Sequence, residues 1–215
     1  MNGQLKHDNN SCRRRCFVAA DKKALYQICH QTGDAGKDAS WMFSNVELLG
    51  DLYVGPYLEY QPELAWVLED QHGIAGYLLG VSDTLAYQRW YLRHWLPNIR
   101  KGRRFPQKDE SVWTMDDTLL ASLFEFEFDR PDWLDQFPSH IHIDLLPRIQ
   151  GKRWGTRFAR EMLDTLRGKD SPGVHLGMNP DNRKALSFYQ KLGFEILEHV
   201  ELKWEEVLYL GMYLK

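Results

Sequence analysis

SHIHIDLLPRIQGKRWGTRFAREMLDTLR, residues 139–167, joins a strand, a tight turn and a helix. His140, His142 and Asp144 alternate with Ile141, Ile143 and Leu145, the period of a strand with two unlike faces. Pro147 has no N–H to give to a ladder, so the strand stops there. From Trp154 the period changes. Trp154, Phe158, Met162 and Leu166, flanked by Ala159 and Leu163, form one helical stripe. Between the two lies Gln150-Gly151-Lys152-Arg153-Trp154-Gly155. Free backbone N–H groups and small residues at a helix start make an anion site, and a pyrophosphate suits it. Close packing of a helix on a strand would ask for the same glycines.

A second stretch, VHLGMNPDNRKALSFYQKLGF over residues 174–194, narrows the choice. It holds a short strand, a polar segment fit to cap a helix, and a helix with Ala185, Phe188, Tyr189 and Leu192 on one face. Gly193 is placed to end it. Together the two stretches resemble the GNAT N-acetyltransferase superfamily. Its first motif, Gln/Arg-x-x-Gly-x-Gly/Ala, is met by Gln150 and Gly155, with Arg153 where the family usually has glycine. Its second, Asn-x-x-Ala-x-x-Phe-Tyr-x-x-x-Gly-Phe, is met by Asn182, Ala185, Phe188, Tyr189, Gly193 and Phe194. Further stretches are similar to the acetyltransferase-like domain of O-GlcNAcase and its free-standing bacterial relatives. They are Thr32-Gly33-Asp34, residues 48–56 (LLGDLYVGP), Val67-Leu68-Glu69-Asp70, residues 76–80 (GYLLG) and Leu145-Leu146-Pro147-Arg148.

The resemblance implies a mixed α/β (α+β) fold, with a mixed, twisted central sheet flanked by helices. It implies acetyl-coenzyme A as the acyl donor, a small amine as acceptor, and direct transfer between them. The coenzyme would lie on Leu145, Leu146, Gln150, Gly151, Lys152, Arg153, Trp154, Gly155 and Thr156, with Asn182, Ala185 and Tyr189 beside its arm. A backbone N–H at Leu145 or Leu146 would steady the developing oxyanion. Tyr189 would serve as the acid toward the sulfur. His140, His142 and Asp144 line one strand face, so any of them could be the base, and a histidine has a suited pKa of about 6.5. Asp34, Asp38 and Asp83 suggest a cationic acceptor, although each also suits a turn or cap. A different class stays open: a non-catalytic coenzyme A-binding or interaction module, a pseudo-acetyltransferase, or a coenzyme sensor without turnover.

The remaining composition sets bounds. The 215 residues suffice for one domain, residues 1–215, with a sizeable core. With 27 basic and 30 acidic residues, nothing asks for nucleic acid, and no apolar run reaches membrane-spanning length. A cytoplasmic protein is expected, and a homodimer stays open. Cys12, Cys16 and Cys29 are expected as free thiols, since four positions along a strand is too far for a disulfide and a metal would need more ligands. Residues 1–11 are expected to be disordered. Strands are expected over 12–19, 64–70 and 74–82, with a helix from Asp21 to His30. Another helix, interrupted near Gly55-Pro56, follows over 46–60. An insert, residues 84–138, should carry a helix ending before Pro97, a solvated basic turn at 100–104 and a helix over 116–128. Trp113 and Trp133 would dock it, as a lid over the acceptor site, a surface elaboration or an oligomer contact. A hairpin over 194–200 and 207–214 closes the chain.

Overall fold

A computed structural model describes residues 12–128 and 130–214, so the expectation of disorder over 1–11 lies outside the described residues. Among the described residues, seven strands form one sheet: β1 (Arg13–Cys16), β2 (Ala65–Asp70), β3 (Gly73–Val81), β4 (Ser139–Leu145), β5 (Gly173–Met178), β6 (Glu195–Glu201) and β7 (Glu206–Tyr213). Their order across the sheet is β1-β2-β3-β4-β5-β7-β6. Every pairing is antiparallel except β4 with β5.

β2 and β3 are buried on both faces, which is why their sequences are continuous apolar runs. Alternation divides their side chains between two layers. Ala65, Val67, Tyr77, Leu79 and Val81 face a cluster with α1 (Lys22–Thr32), α2 (Val46–Tyr53) and α3 (Gly55–Tyr60). Trp66, Leu68 and Leu78 face α7 (Trp154–Arg167), whose Phe158, Met162 and Leu166 are buried as the stripe foretold, beside α8 (Arg183–Leu192), and a bulge in the β2–β3 ladder turns Ala75 to the same side. Gly50 lets α2 close on α1, since a Cβ there would lie 2.2 Å from the Tyr26 ring.

The first strand is shorter than expected and ends at Cys16. Asp21 sits before α1 in helical conformation (φ −80°, ψ −19°) and makes no cap bond. Its carboxylate instead accepts from Val18 N and from the Arg15 guanidinium, which also reaches Glu69 at 2.6 Å. That pairing holds the Asp21 carboxyl below its ordinary range.

The insert departs from expectation in three places, the slightest being that its later helix, Met115–Phe124, stops short of Phe128. Its first helix does not end before Pro97. α4 (Thr84–Trp90) passes through one π turn, Tyr91–Trp95, into α5 (Leu96–Arg100). The Leu96 N–H donates to Tyr91 O, five residues back, and Pro97 then falls in the first turn of α5, where its missing N–H costs nothing. The basic turn is not solvated throughout. Arg100 donates to Leu123 O and Phe124 O at the end of α6 (Met115–Phe124), and Arg103 pairs with Asp51 at 2.8 Å. The docking tryptophans are as expected. Trp113 packs at a tilt on Trp204, with ring centroids 5.4 Å apart, and Trp133 donates to Glu198 while its ring meets His175 and Tyr209. Cys12, Cys16 and Cys29 are free thiols. Among the described residues, no helix is long and apolar enough to cross a membrane.

Candidate active site

The site begins where the sheet comes apart. β4 and β5 pair at Ser139–Val174 and His140–His175, after which both strands run on without pairing to each other. Ladder bonds alternate along an antiparallel strand. Leu146 N donates to Ala75 O at 2.8 Å, beside β3, so Ile143 and Leu145 turn their backbone groups away from β3, toward the gap. Leu145 O already accepts from Gln150 Nε2 at 2.7 Å. Of the two residues expected to supply an oxyanion N–H, Leu146 is thus engaged and Leu145 faces the gap.

The turn after β4 delivers α7 to the mouth of the gap. Gly151 and Arg153 both have left-handed backbones, φ +73° and φ +64°. Arg153 precedes Trp154 as N-cap, yet no side chain caps the helix. The first N–H groups of any helix lack internal acceptors. Here they stay open beside the exposed side chains of Lys152 and Arg153, neither of which forms an ion pair among the described residues. Trp154 and Thr156 are half-buried in the first turn. Gly155 is buried for a packing reason: a Cβ there would lie 3.0 Å from Leu145 Cδ1 and 3.5 Å from Phe188. The two readings of the hexapeptide therefore divide, with Gly155 joining α7, β4 and α8 and residues 151–153 forming the anion-facing turn. Open N–H donors, two cations and an unpaired strand edge fit a pyrophosphate followed by an amide-bearing arm.

α8 closes the other side. Asn182 Oδ1 accepts from Ala185 N at 3.0 Å, a cap that uses the amide oxygen. Its NH₂ faces Gly36, where a Cβ would come within 3.2 Å. The loop after α1 thus folds onto the start of α8. Tyr189 is buried against Phe188 and Phe194. Burial pushes its phenol pKa up, with a further push from the charge of Asp144. Tyr189 and Asp144 therefore lie within electrostatic reach of each other.

The polar face of β4 is in two parts. His140 is enclosed, with Nδ1 2.8 Å from Thr84 Oγ1 and its ring edge-on to Tyr57 and Tyr87. Thr84 gives its one hydroxyl proton to Pro138 O, so His140 Nδ1 is the donor. Desolvation, with smaller contributions from His175 and His142, pushes the His140 pKa well down and keeps the ring neutral. This is the environment of a structural histidine. His142 and Asp144 instead remain part-exposed, with Nε2 3.3 Å from Asp144 Oδ2. Tyr77, opposite Asp144 on β3, donates its hydroxyl to the same carboxylate oxygen and lies 3.3 Å from His142 Nε2. Tyr77 was hidden within an apolar strand; only the register that sets it against Asp144 marks it out.

The acidic candidates separate as well. Asp34 accepts from the indole N–H of the exposed Trp41 at 3.2 Å. Asp38 accepts from Ser40 N in an exposed turn. Asp83 caps α4 by accepting from Ala86 N. It stands beyond the start of β4, and at about 3.3 Å per residue that is roughly 20 Å from Asp144. Asp83 is thus a helix cap remote from the other candidates.

Comparison with known proteins bears on the fold that carries this site. Residues 106–194 match the Acetyltransferase (GNAT) family. The chain is 28% identical over 197 residues, 92% of its length, to protein O-GlcNAcase of Rattus norvegicus, and equally to that of Mus musculus. It spans about a fifth of the length of those curated relatives, 21%. Among solved structures, that of SsHAT superimposes with a TM-score of 0.79 at 29% identity, covering 95% of this chain and 99% of that one. An acetyltransferase-like protein of Salmonella typhimurium, yncA, described with its cofactor acetyl-CoA, shares the fold at a TM-score of 0.56 and 13% identity, covering 96% and 95%. Motifs, sheet topology and relatives converge: residues 106–194 match the GNAT acetyltransferase family, and the chain shares its fold with SsHAT along nearly its whole length.

Proposed function

We propose that this domain transfers an acetyl group from acetyl-coenzyme A directly to a small amine. The observation that carries the reading is the uncapped start of α7 at the gap between β4 and β5, flanked by Lys152 and Arg153. The first-turn N–H groups and the two cations hold the pyrophosphate, aided by the helix dipole. The gap-facing backbone of Ile143 and Leu145 pairs with the arm as an added strand does. When bound, the coenzyme supplies an activated thioester. Leu145 N–H offers a hydrogen bond to the acyl oxygen. His142, backed by Asp144, takes the proton from the acceptor nitrogen. Tyr189, kept protonated by burial, gives its proton to the sulfur. Asn182 holds the start of α8 against the arm, and Asp34 faces the positive charge of the acceptor.

Coenzyme binding is read by melting temperature. At a hundredfold excess over Kd, a ligand selective for the folded state stabilises it by about 2.7 kcal/mol. Acetyl-coenzyme A should raise the Tm of the wild type, and Lys152→Glu/Arg153→Glu should abolish the rise. Both positions are exposed, so the double variant leaves the packing of Gly155 intact. No rise in the wild type would refute coenzyme binding. A rise without thiol release over an amine panel would leave a binding module in place of an enzyme.

A further inference from the structure

We infer that Tyr77 is a positioning residue which, with Asp144, holds His142 as its Nε2–H tautomer and so makes Nδ1 the atom that receives the proton. The inference rests on the reading of His142 as the base. The argument is one of donors and acceptors. The Tyr77 hydroxyl has a single proton, and it goes to Asp144 Oδ2, which as a carboxylate oxygen can only accept. Toward His142, 3.3 Å away, the phenol oxygen can then only accept. Asp144 Oδ2, also 3.3 Å from Nε2, can only accept too. Two acceptors converge on one ring nitrogen, so Nε2 carries the hydrogen. Nδ1 has no hydrogen-bond partner among the described residues.

The rest of the environment is consistent with a fixed ring. The rings of Tyr77 and Tyr57 lie near-parallel to His142, at 27° and 24°, with centroids 5.7 and 6.3 Å away. Tyr77 is fully buried, and Cys29 of α1 lies beneath its hydroxyl, its thiol kept protonated by burial. The groups that face His142 are Asp144 and His140 of β4, Tyr77 of β3 and Tyr57 of α3. Asp144 is the one carboxyl group among them. The proton that leaves the acceptor nitrogen moves to Nδ1, its electron pair stays on nitrogen, and the ring becomes a cation against the Asp144 carboxylate.

Tautomers are read without turnover by ¹⁵N–¹H spectroscopy of histidine-labelled protein at about pH 8, above the ordinary imidazole pKa of about 6.5. His142→Gln identifies the signals. The wild type should show His142 with a protonated Nε2 and a lone-pair Nδ1. The opposite tautomer, or an even mixture, overturns the inference whether or not any amine is acetylated. If turnover is absent and the Nε2–H tautomer is present, the catalytic reading fails while the geometry stands. Tyr77→Phe should turn the single tautomer into a mixture and lower kcat about tenfold or more, with the coenzyme-induced rise in Tm retained. Wild-type tautomer and wild-type kcat in a folded Tyr77→Phe protein would reduce Tyr77 to packing. Should that variant not fold, the wild-type spectrum still decides.

Discussion

Arg153 occupies a left-handed backbone, φ +64°, at the motif position where a glycine is usual, and replacing it tests how the turn works. A non-glycine residue in this region costs about 1–2 kcal/mol. Arg153→Gly removes that cost, and glycine's greater freedom in the unfolded chain returns roughly 0.5–1 kcal/mol. The sum is a stabilisation of about 0–1.5 kcal/mol. Arg153→Val keeps the unfavourable backbone and adds branching at Cβ, so it should destabilise by about 1 kcal/mol or more. Binding moves the other way. A unit charge about 4 Å from a phosphate is worth about 1 kcal/mol in water, so losing it weakens coenzyme binding roughly fivefold at low salt and less as salt rises. Urea denaturation gives the stabilities, and calorimetric titration of coenzyme A at two salt concentrations gives the affinities. If Arg153→Gly lowered stability by more than about 1 kcal/mol, the backbone would not be the source of the cost. Tighter, salt-independent binding in that variant would refute an electrostatic role for the guanidinium.

Tyr189→Phe should reduce turnover by roughly 10²–10⁴ with little change in Tm, since it removes only the hydroxyl of a buried ring; equal rates with a true acceptor would leave Tyr189 as packing. Stability should also depend on pH through His175, whose burial pushes its pKa down to about 4 against Nδ1 donation to Phe137 O. The unfolded ring takes a proton near pH 6.5 and the folded ring does not until near 4, so stability is fully present above about 6.5 and falls as the pH drops through that window. The loss approaches about 3 kcal/mol. His140, shifted in the same direction, adds to it. Asp21, Glu69 and Asp70, all shifted down, lose their contributions only at lower pH. Equal urea midpoints at about pH 7 and pH 4.5 would contradict this.

What the sequence disclosed was local. The helical stripe of α7, the alternation of β4, the Asn182 cap and the break at Gly55-Pro56 each follow from neighbours a few residues apart, and each stands where the pattern put it. What it concealed was set by register and packing. Tyr77 became a site residue because β3 meets β4 with Asp144 opposite it. His140 left the set of candidate bases because Thr84, Tyr57 and Tyr87 close over it. Arg100 and Arg103, charged residues in a glycine-containing turn, looked solvated because the carbonyls 23 and 24 residues downstream of Arg100, and the Asp51 carboxylate far upstream of Arg103, were not yet in view. Pro97 misled for a narrower reason. A preceding π turn shifts the bonding pattern enough to place the proline in a first turn, and no residue type announces such a turn.

The joint between the insert and the closing hairpin also sets a schedule for synthesis. Glu125 pairs with Lys203, 78 residues later, and Trp113 waits for Trp204. β5 meets β4 at only two positions, while β7 pairs along its whole length. At roughly 5–20 residues per second, about 4–16 s separate the emergence of the insert from that of its partners. Throughout that interval the nascent chain presents an indole without its ring partner and an inner strand without its neighbour. The indole finds its partner in the turn just before β7, and β5 finds its neighbour in β7 itself, so a single hairpin made well after the insert closes both.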